Sequence, residues 1–305
     1  MKKIIALVLA LTMLGCLFAG CGAKAPATDA PAADAPVADA PAAAETDYAS
    51  MTIEELKPLI TTLTAGKLTM VTSPDFAPYE FYALDEAGNP TMAGFDIALG
   101  YYIADFLGLE LEIVPMDFDG TIAELGTGKA DIGMAGYSPD PDRENAMSFS
   151  QVYYTGGQSF VCHIDNAANF TALTDANKAE YQIGAQIGSI QADLAKENTP
   201  DADIIEMAKV TDIIAELITG KMDGAFIETM VAESYEKNYP ELCVVLDVPY
   251  EAEGSVVGVY KGNEALLKGV NEAIAAALAD GSMSDFVAEA NELASGNIHE
   301  GLLEG

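Results

Sequence analysis

Between residues 52 and 293, apolar positions recur at two periods. Lys67-Leu68-Thr69-Met70-Val71-Thr72 alternates and predicts a strand, as does Leu109 to Met116. Phe95 to Leu107 carries apolar residues at helical spacing and stops at Gly108, which predicts a helix. Thr52-Ile53-Glu54-Glu55 has capping-box spacing and predicts a short helix. Pro74 to Pro78 reads as a loop, Asp85 to Pro90 as a turn, Thr121 to Leu125 as a short helix and Asp131 to Ala135 as a buried strand. The alternation then restarts. Strands are predicted over 159–164, 182–185, 203–207, 224–227, 243–248 and 254–260. Helices are predicted from Gly188 through Glu197 and over 210–219, 230–238, 263–278 and 282–293. Strand and helix in turn imply an α/β fold with a mostly parallel sheet.

One segment occurs twice. Ile122-Ala123-Glu124-Leu125-Gly126-Thr127-Gly128-Lys129-Ala130-Asp131 matches Ile214-Ala215-Glu216-Leu217-Ile218-Thr219-Gly220-Lys221-Met222-Asp223. Helix C-caps that lead into strands look broadly alike. Agreement over this length favours a supersecondary unit used once in each of two halves.

The N-terminus follows another pattern. Lys2 and Lys3 precede an apolar run from Ile4 to Phe18, then Ala19, Gly20 and Cys21, which reads as a secretory signal over 1–20. The run is short for a bilayer span, although an uncleaved anchor helix is the alternative. Leu17-Phe18-Ala19-Gly20-Cys21 resembles the lipobox of bacterial lipoproteins, which implies acylation of Cys21; Cys16 is the poorer candidate because Leu14 is bulky. Two acyl chains supply the double signal that stable anchoring needs. Residues 23–44 are built on Ala-Asp-Ala-Pro, without aromatics and with almost no large aliphatic residue, so 21–50 reads as a disordered tether.

Composition narrows the function. Fourteen basic against 48 acidic residues give a formal net charge of −34. Such a chain repels nucleic acid and an anionic membrane surface, so membrane attachment requires the lipid. Of four cysteines, only Cys162 and Cys243 fall in the folded part. They either pair or serve as two small buried residues. His163 and His299 are the only histidines, and neither sits in a metal-spaced cluster. Gly126-Thr127-Gly128-Lys129-Ala130 lacks the hydroxyl residue of a phosphate loop, and no G-x-S-x-G elbow occurs. No metal site and no cofactor are expected.

Arg143 is the only arginine. It follows Ala135-Gly136-Tyr137-Ser138-Pro139-Asp140-Pro141-Asp142, a loop at the carboxyl end of a predicted strand, where ligands of α/β sheets gather. Its planar fork suits a carboxylate; alternatively it pairs on the surface with Asp140, Asp142 or Glu144. Phe76 and Tyr79 are positioned to wall a pocket or to fill a core.

Taken together, residues 67–294 resemble the amino-acid-binding family of extracytoplasmic solute-binding proteins, family 3. The resemblance rests on Pro74-Asp75-Phe76-Ala77-Pro78-Tyr79-Glu80-Phe81, Gly94-Phe95-Asp96-Ile97, Phe118-Asp119-Gly120 through Gly128-Lys129-Ala130-Asp131, and Arg143 followed by Phe149-Ser150 and Tyr153-Tyr154. It implies a type II periplasmic-binding fold, with lobe 1 at 51–156 plus 254–305, lobe 2 at 157–253, and a two-segment hinge. Arg143 then matches the clamp on a ligand α-carboxylate, Ser138 a nearby hydroxyl, and Gly136 a backbone contact. Phe76 and Phe118 match residues flanking the ligand side chain, and Ser189, Ile190 and Gln191 the loop that meets the carboxylate at a helix N-terminus. Glu228 matches the acid that receives the α-ammonium, where aspartate is usual. The resemblance further implies a monomer that hands a small amino acid to an ABC permease and ATPase, without catalysis. An enzyme of the cyclohexadienyl dehydratase type and a sensor without transport are the alternatives.

Overall fold

The structure is a computed structural model that describes residues 47–85, 87–250 and 254–295. The expected signal, Cys21 and nearly all of the tether lie outside the described residues.

The chain opens with α1 (Ile53–Leu56), whose start is closed by a reciprocal capping box between Thr52 and Glu55. There follow β1 (Lys67–Thr72), β2 (Asp75–Phe76), β3 (Glu80–Leu84), β4 (Pro90–Ala93), α2 (Phe95–Leu107), β5 (Glu110–Pro115), α3 (Phe118–Gly126), β6 (Ile132–Gly133) and β7 (Met147–Tyr154). The next stretch holds β8 (Gln158–His163), α4 (Leu173–Ala176), β9 (Gln182–Gln186), α5 (Ile190–Asn198), β10 (Asp203–Met207), α6 (Val210–Ile218), β11 (Gly224–Glu228), α7 (Thr229–Asn238) and β12 (Leu242–Val248). β13 (Ser255–Tyr260), α8 (Glu264–Asp280) and α9 (Ser282–Ala294) complete it.

Two five-stranded sheets result, ordered β5-β1-β6-β13-β7 and β10-β9-β11-β8-β12, beside a small sheet β2-β3-β4. The chain passes between the large sheets twice, from β7 to β8 and from β12 to β13, which is the two-lobed type II architecture. The expected mostly parallel sheet needs amending: β1 pairs in parallel with β5 and β6, but β13 runs antiparallel to both β6 and β7. The second sheet repeats this, with β9 parallel to β10 and β11 and β8 antiparallel to β11 and β12. Only strands joined by crossover helices are forced parallel; the strands beside the two crossings are not.

Helix α2 buries Phe95, Ile97, Leu99, Ile103 and Leu107, and α8 buries Leu266, Val270, Ile274 and Ala277, each set at helical spacing. Burying each such leucine or isoleucine contributes about 1.5–3 kcal/mol.

The repeated segment folds the same way twice. Lys129 pairs with Glu124 at 2.8 Å, and Lys221 with Glu216 at 2.9 Å. Gly128 and Gly220 take φ of +71° and +68°, the left-handed turn that releases chain from helix to strand. Asp131 accepts from the backbone N–H of Thr69 within β1, and Asp223 from that of Gln182 at the start of β9. The aspartate thereby fastens the crossover to the parallel strand beside it in both sheets.

Cys162 and Cys243 are register partners on the antiparallel strands β8 and β12, and both are free thiols.

Candidate functional site

The carboxyl ends of β6 and β11, the two crossings and the start of α5 converge on one narrow crevice. Tyr79, Gly136, Ser138, Gly156, Gln158, Gln191, Glu228, Tyr250, Gly254 and Ser255 line it. Four of the expected residues, Gly136, Ser138, Gln191 and Glu228, are therefore brought together, from both sheets.

Arg143 ends a single 3-10 turn, Pro141–Arg143, started by the Asp140 side chain, which accepts from Asp142 N–H. The guanidinium is buried, 7% exposed, rather than spread on the surface. Its Nη2 donates to the Gly188 carbonyl at 2.9 Å, its carbon lies 5.5 Å over the Phe118 ring, and Nε sits 3.6 Å from Asp140 Oδ2. Phe118 is held edge-on against Tyr137 at 5.7 Å. The guanidinium is thus held in place by a backbone carbonyl, an aromatic ring and a carboxylate, and its planar fork is of the kind that matches a carboxylate.

Glu228 ends β11 and caps α7, its Oε2 accepting from Val231 N–H at 2.9 Å. Its Oε1 is buried with no hydrogen-bond partner. Burial pushes this carboxyl up to about 7, against the opposing pull of the Val231 N–H and of the nearby Tyr79 hydroxyl, which makes no hydrogen bond of normal geometry to Oε1. An unpaired buried acceptor is costly, and a cationic donor entering the crevice relieves it. Gly156 makes room for this: a Cβ there would stand 2.3 Å from Glu228 Oε1 and 3.1 Å from the Tyr79 hydroxyl.

A layer of buried acids supports Gly136 from behind. Asp96 accepts from Gly136 N–H at 3.0 Å and from the Tyr153 hydroxyl at 2.7 Å. Burial pushes Asp96 up to about 6, and burial followed by the Asp96 charge raises Glu80 further. Neither Glu80 oxygen meets an N–H or O–H donor, so a proton on Glu80 is what reconciles the pair.

The remaining expected residues lie to the sides. Phe76 packs on Tyr79 at 5.3 Å and lines a tight recess with Gln186, Gln191, Val210, Phe226 and Ile227. Gln191 also donates to Gln158 Oε1 at 2.9 Å. The Ser189 hydroxyl is engaged in starting α5, donating to the Gln186 carbonyl and accepting from Ala192 N–H. Ile190 lines an open outer groove with Asp140, Asp193, Leu194, Glu197 and Tyr250.

A model of the bacterial extracellular solute-binding proteins, family 3, matches residues 68–289. The chain belongs to that family. Among members of family 3, the arginine-binding extracellular protein ArtP of Bacillus subtilis is 33% identical over 202 residues, 65% of this chain and 76% of its own. The amino acid ABC transporter substrate-binding protein AbpA of Streptococcus pneumoniae, solved bound to L-arginine, is 30% identical with a TM-score of 0.72, covering 75% of this chain and 96% of its own. The cyclohexadienyl dehydratase of Pseudomonas aeruginosa is 26% identical over 183 residues, 60% of this chain and 67% of its own.

Residues of the crevice that sequence reasoning missed are Gly156, Gln158, Tyr250, Gly254 and Ser255. They sit at the two crossings, where the adjacent pairs Gly156-Gly157 and Gly254-Ser255 were the available signal. Tyr250 lines both the crevice and the outer groove. Among the described residues no group of His, Cys, Asp or Glu is arranged to hold a metal, and no helix is long and apolar enough to cross a membrane.

Proposed function

We propose that this solute-binding protein holds an amino acid as a zwitterion between lobe 1 (51–156 plus 254–305) and lobe 2 (157–253), and passes it to an ABC importer. In this reading Arg143 and Ser138 take the α-carboxylate. Glu228 takes the α-ammonium, and Phe76 and Phe118 flank the side chain. The observation that carries it is the unpartnered, buried Glu228 Oε1, which shares a crevice with Gly136 and Ser138 beside the buried Arg143. Acylated Cys21 would tether the protein at the outer face of the membrane.

A cationic side chain is the first to try. Asp140 stands 3.6 Å from Arg143, Asp193 and Glu197 line the outer groove with Asp140, and Glu228 lines the crevice itself. Excess negative potential in a crevice favours a ligand with a net positive charge. Two of the relatives named above are arginine binders by name or by bound ligand. The test is the shift in melting temperature of the soluble domain with each proteinogenic amino acid. Ligand at one hundred times its dissociation constant adds about 2.7 kcal/mol. Arginine should give the largest shift; no shift with any amino acid rejects the reading.

The dehydratase relative, with a Glu228 carboxyl near neutrality, supports a second reading as an enzyme. Loss of water from a cyclohexadienyl acid leaves an aromatic ring, so turnover would appear in the ultraviolet. We read the chain as a binder because the arginine-binding protein ArtP and the arginine-bound AbpA match it over more of its length and at higher identity than the dehydratase does.

A further inference from the structure

The two halves are bonded to each other at a point beside the Phe76 recess, away from Arg143 and Glu228. Asp75, in β2 beside the first large sheet, sends its carboxylate across to the second half of the molecule. Its Oδ2 accepts from Val210 N–H at 2.6 Å, at the first residue of α6, and from Gln186 Nε2 at 3.3 Å, at the end of β9. Its Oδ1 accepts from the Ser73 hydroxyl at 2.8 Å. The Asp75 carbonyl accepts from the Tyr235 hydroxyl of α7 at 3.2 Å. One residue of lobe 1 therefore meets three elements of lobe 2. Every donor is neutral. The titratable groups facing it are Asp117 at the start of α3, Glu80 on β3 and Tyr235 on α7, all acidic or neutral.

We propose that Asp75 is a closing latch between the lobes, and that shutting it takes up a proton on the Asp75 carboxyl. The inference rests on the two-lobed reading above and assigns the latch to a residue outside the zwitterion clamp. When the lobes part, Val210 and Gln186 move off and water replaces them, returning the carboxyl to its ordinary range. When they close, burial raises it to about 6 in spite of the Val210 N–H. The protonated form keeps every contact: Oδ2 still accepts from Val210 and Gln186, while Oδ1–H donates to Ser73. The closed form thus holds its proton to higher pH than the open form. Closure is strongest below about pH 4, weakens as pH rises through about 4 to 6, and levels off above that.

Asp75→Asn copies the protonated carboxyl, since Oδ1 can accept where Oδ2 did and Nδ2 can donate to Ser73. Asp75→Ala removes the acceptor and leaves Val210 N–H without a partner. Calorimetry with L-arginine, or whichever amino acid shifts the wild-type melting temperature, is run at pH 4 and pH 7.5 on all three proteins. Titration of Glu228 cancels in the ratio of wild-type to Asn-variant dissociation constants. That ratio is expected to be near one at pH 4 and between about tenfold and a hundredfold at pH 7.5, with the alanine variant weaker than the asparagine variant at both. A ratio that does not change with pH, or an asparagine variant as weak as the alanine one, overturns the latch. Small-angle scattering without ligand reads the same equilibrium. At pH 7.5 the asparagine variant should be more compact than wild type, and equal radii of gyration count against the proposal. If no amino acid binds wild type, the function reading fails while the scattering result still decides the latch.

Discussion

The Arg143 guanidinium donates to the Gly188 carbonyl at 2.9 Å, joining the segment after β6 to the loop before α5. The lone arginine of one half thus meets the loop that opens α5 in the other half, with Phe118 beneath its plane. A side chain that only paired with Asp140 on the surface would reach neither. In the proposed account, an arriving carboxylate takes up the donors that face the crevice.

Replacing Arg143 with lysine keeps the charge and loses the fork. Hydrogen bonds to charged groups contribute about 1.5–3 kcal/mol each, so losing one or two of them should weaken amino-acid binding by roughly a hundredfold or more. Calorimetry reads the affinity, and an unchanged circular dichroism spectrum checks that the fold persists.

Glu228 links affinity to pH. Its carboxyl, raised to about 7 without ligand, must ionise to receive an ammonium group. Binding therefore releases a proton below about pH 7, and affinity rises with pH until it levels above that value. Calorimetry at pH 6 in two buffers of different ionisation heat measures the release. Glu228→Gln should abolish it and weaken binding by at least about tenfold.

Gly156→Ala places a methyl against Glu228 Oε1 and the Tyr79 hydroxyl. The carboxyl, at the end of a side chain, can swing aside, so the fold should survive with a melting temperature within a few degrees of wild type. Affinity should drop by about tenfold or more, because the acid no longer faces the ligand.

Glu80 offers a stability test away from the ligand. Its folded-state value is raised by burial and by Asp96, so the native protein binds more protons than the unfolded chain. Stability should fall as pH climbs above the ordinary glutamate range near 4.5. Glu80→Gln should flatten that dependence and raise the denaturation midpoint at pH 8 relative to wild type, as followed by urea titration.

Much of the fold was legible because its signals are local. Strand and helix periods marked β10 to the residue and α2 with its Gly108 stop, and the duplicated segment announced two equivalent halves. β7 went unread because Met147–Tyr154 follows a polar loop and its burial is set by β13, far along the chain. The strand expected over Asp131 to Ala135 shrinks to Ile132–Gly133, since the chain must bend at once to deliver Gly136 and Ser138 to the crevice. In the site, Arg143 was visible as a unique residue and Glu228 by its place in a motif. Tyr250 and Asp75 were not, because their roles depend on which element of the other half lies opposite. The facing of Cys162 and Cys243 likewise came only with the register of β8 on β12.

The central claim is that one guanidinium and one acid grip the two ends of a zwitterion. Thermal shift and calorimetry on the amino acid that binds, set beside its α-amide and its N-acetyl form, address it most directly. The account predicts that removing either charged end abolishes binding. Retained affinity for the amide or for the N-acetyl form would contradict it.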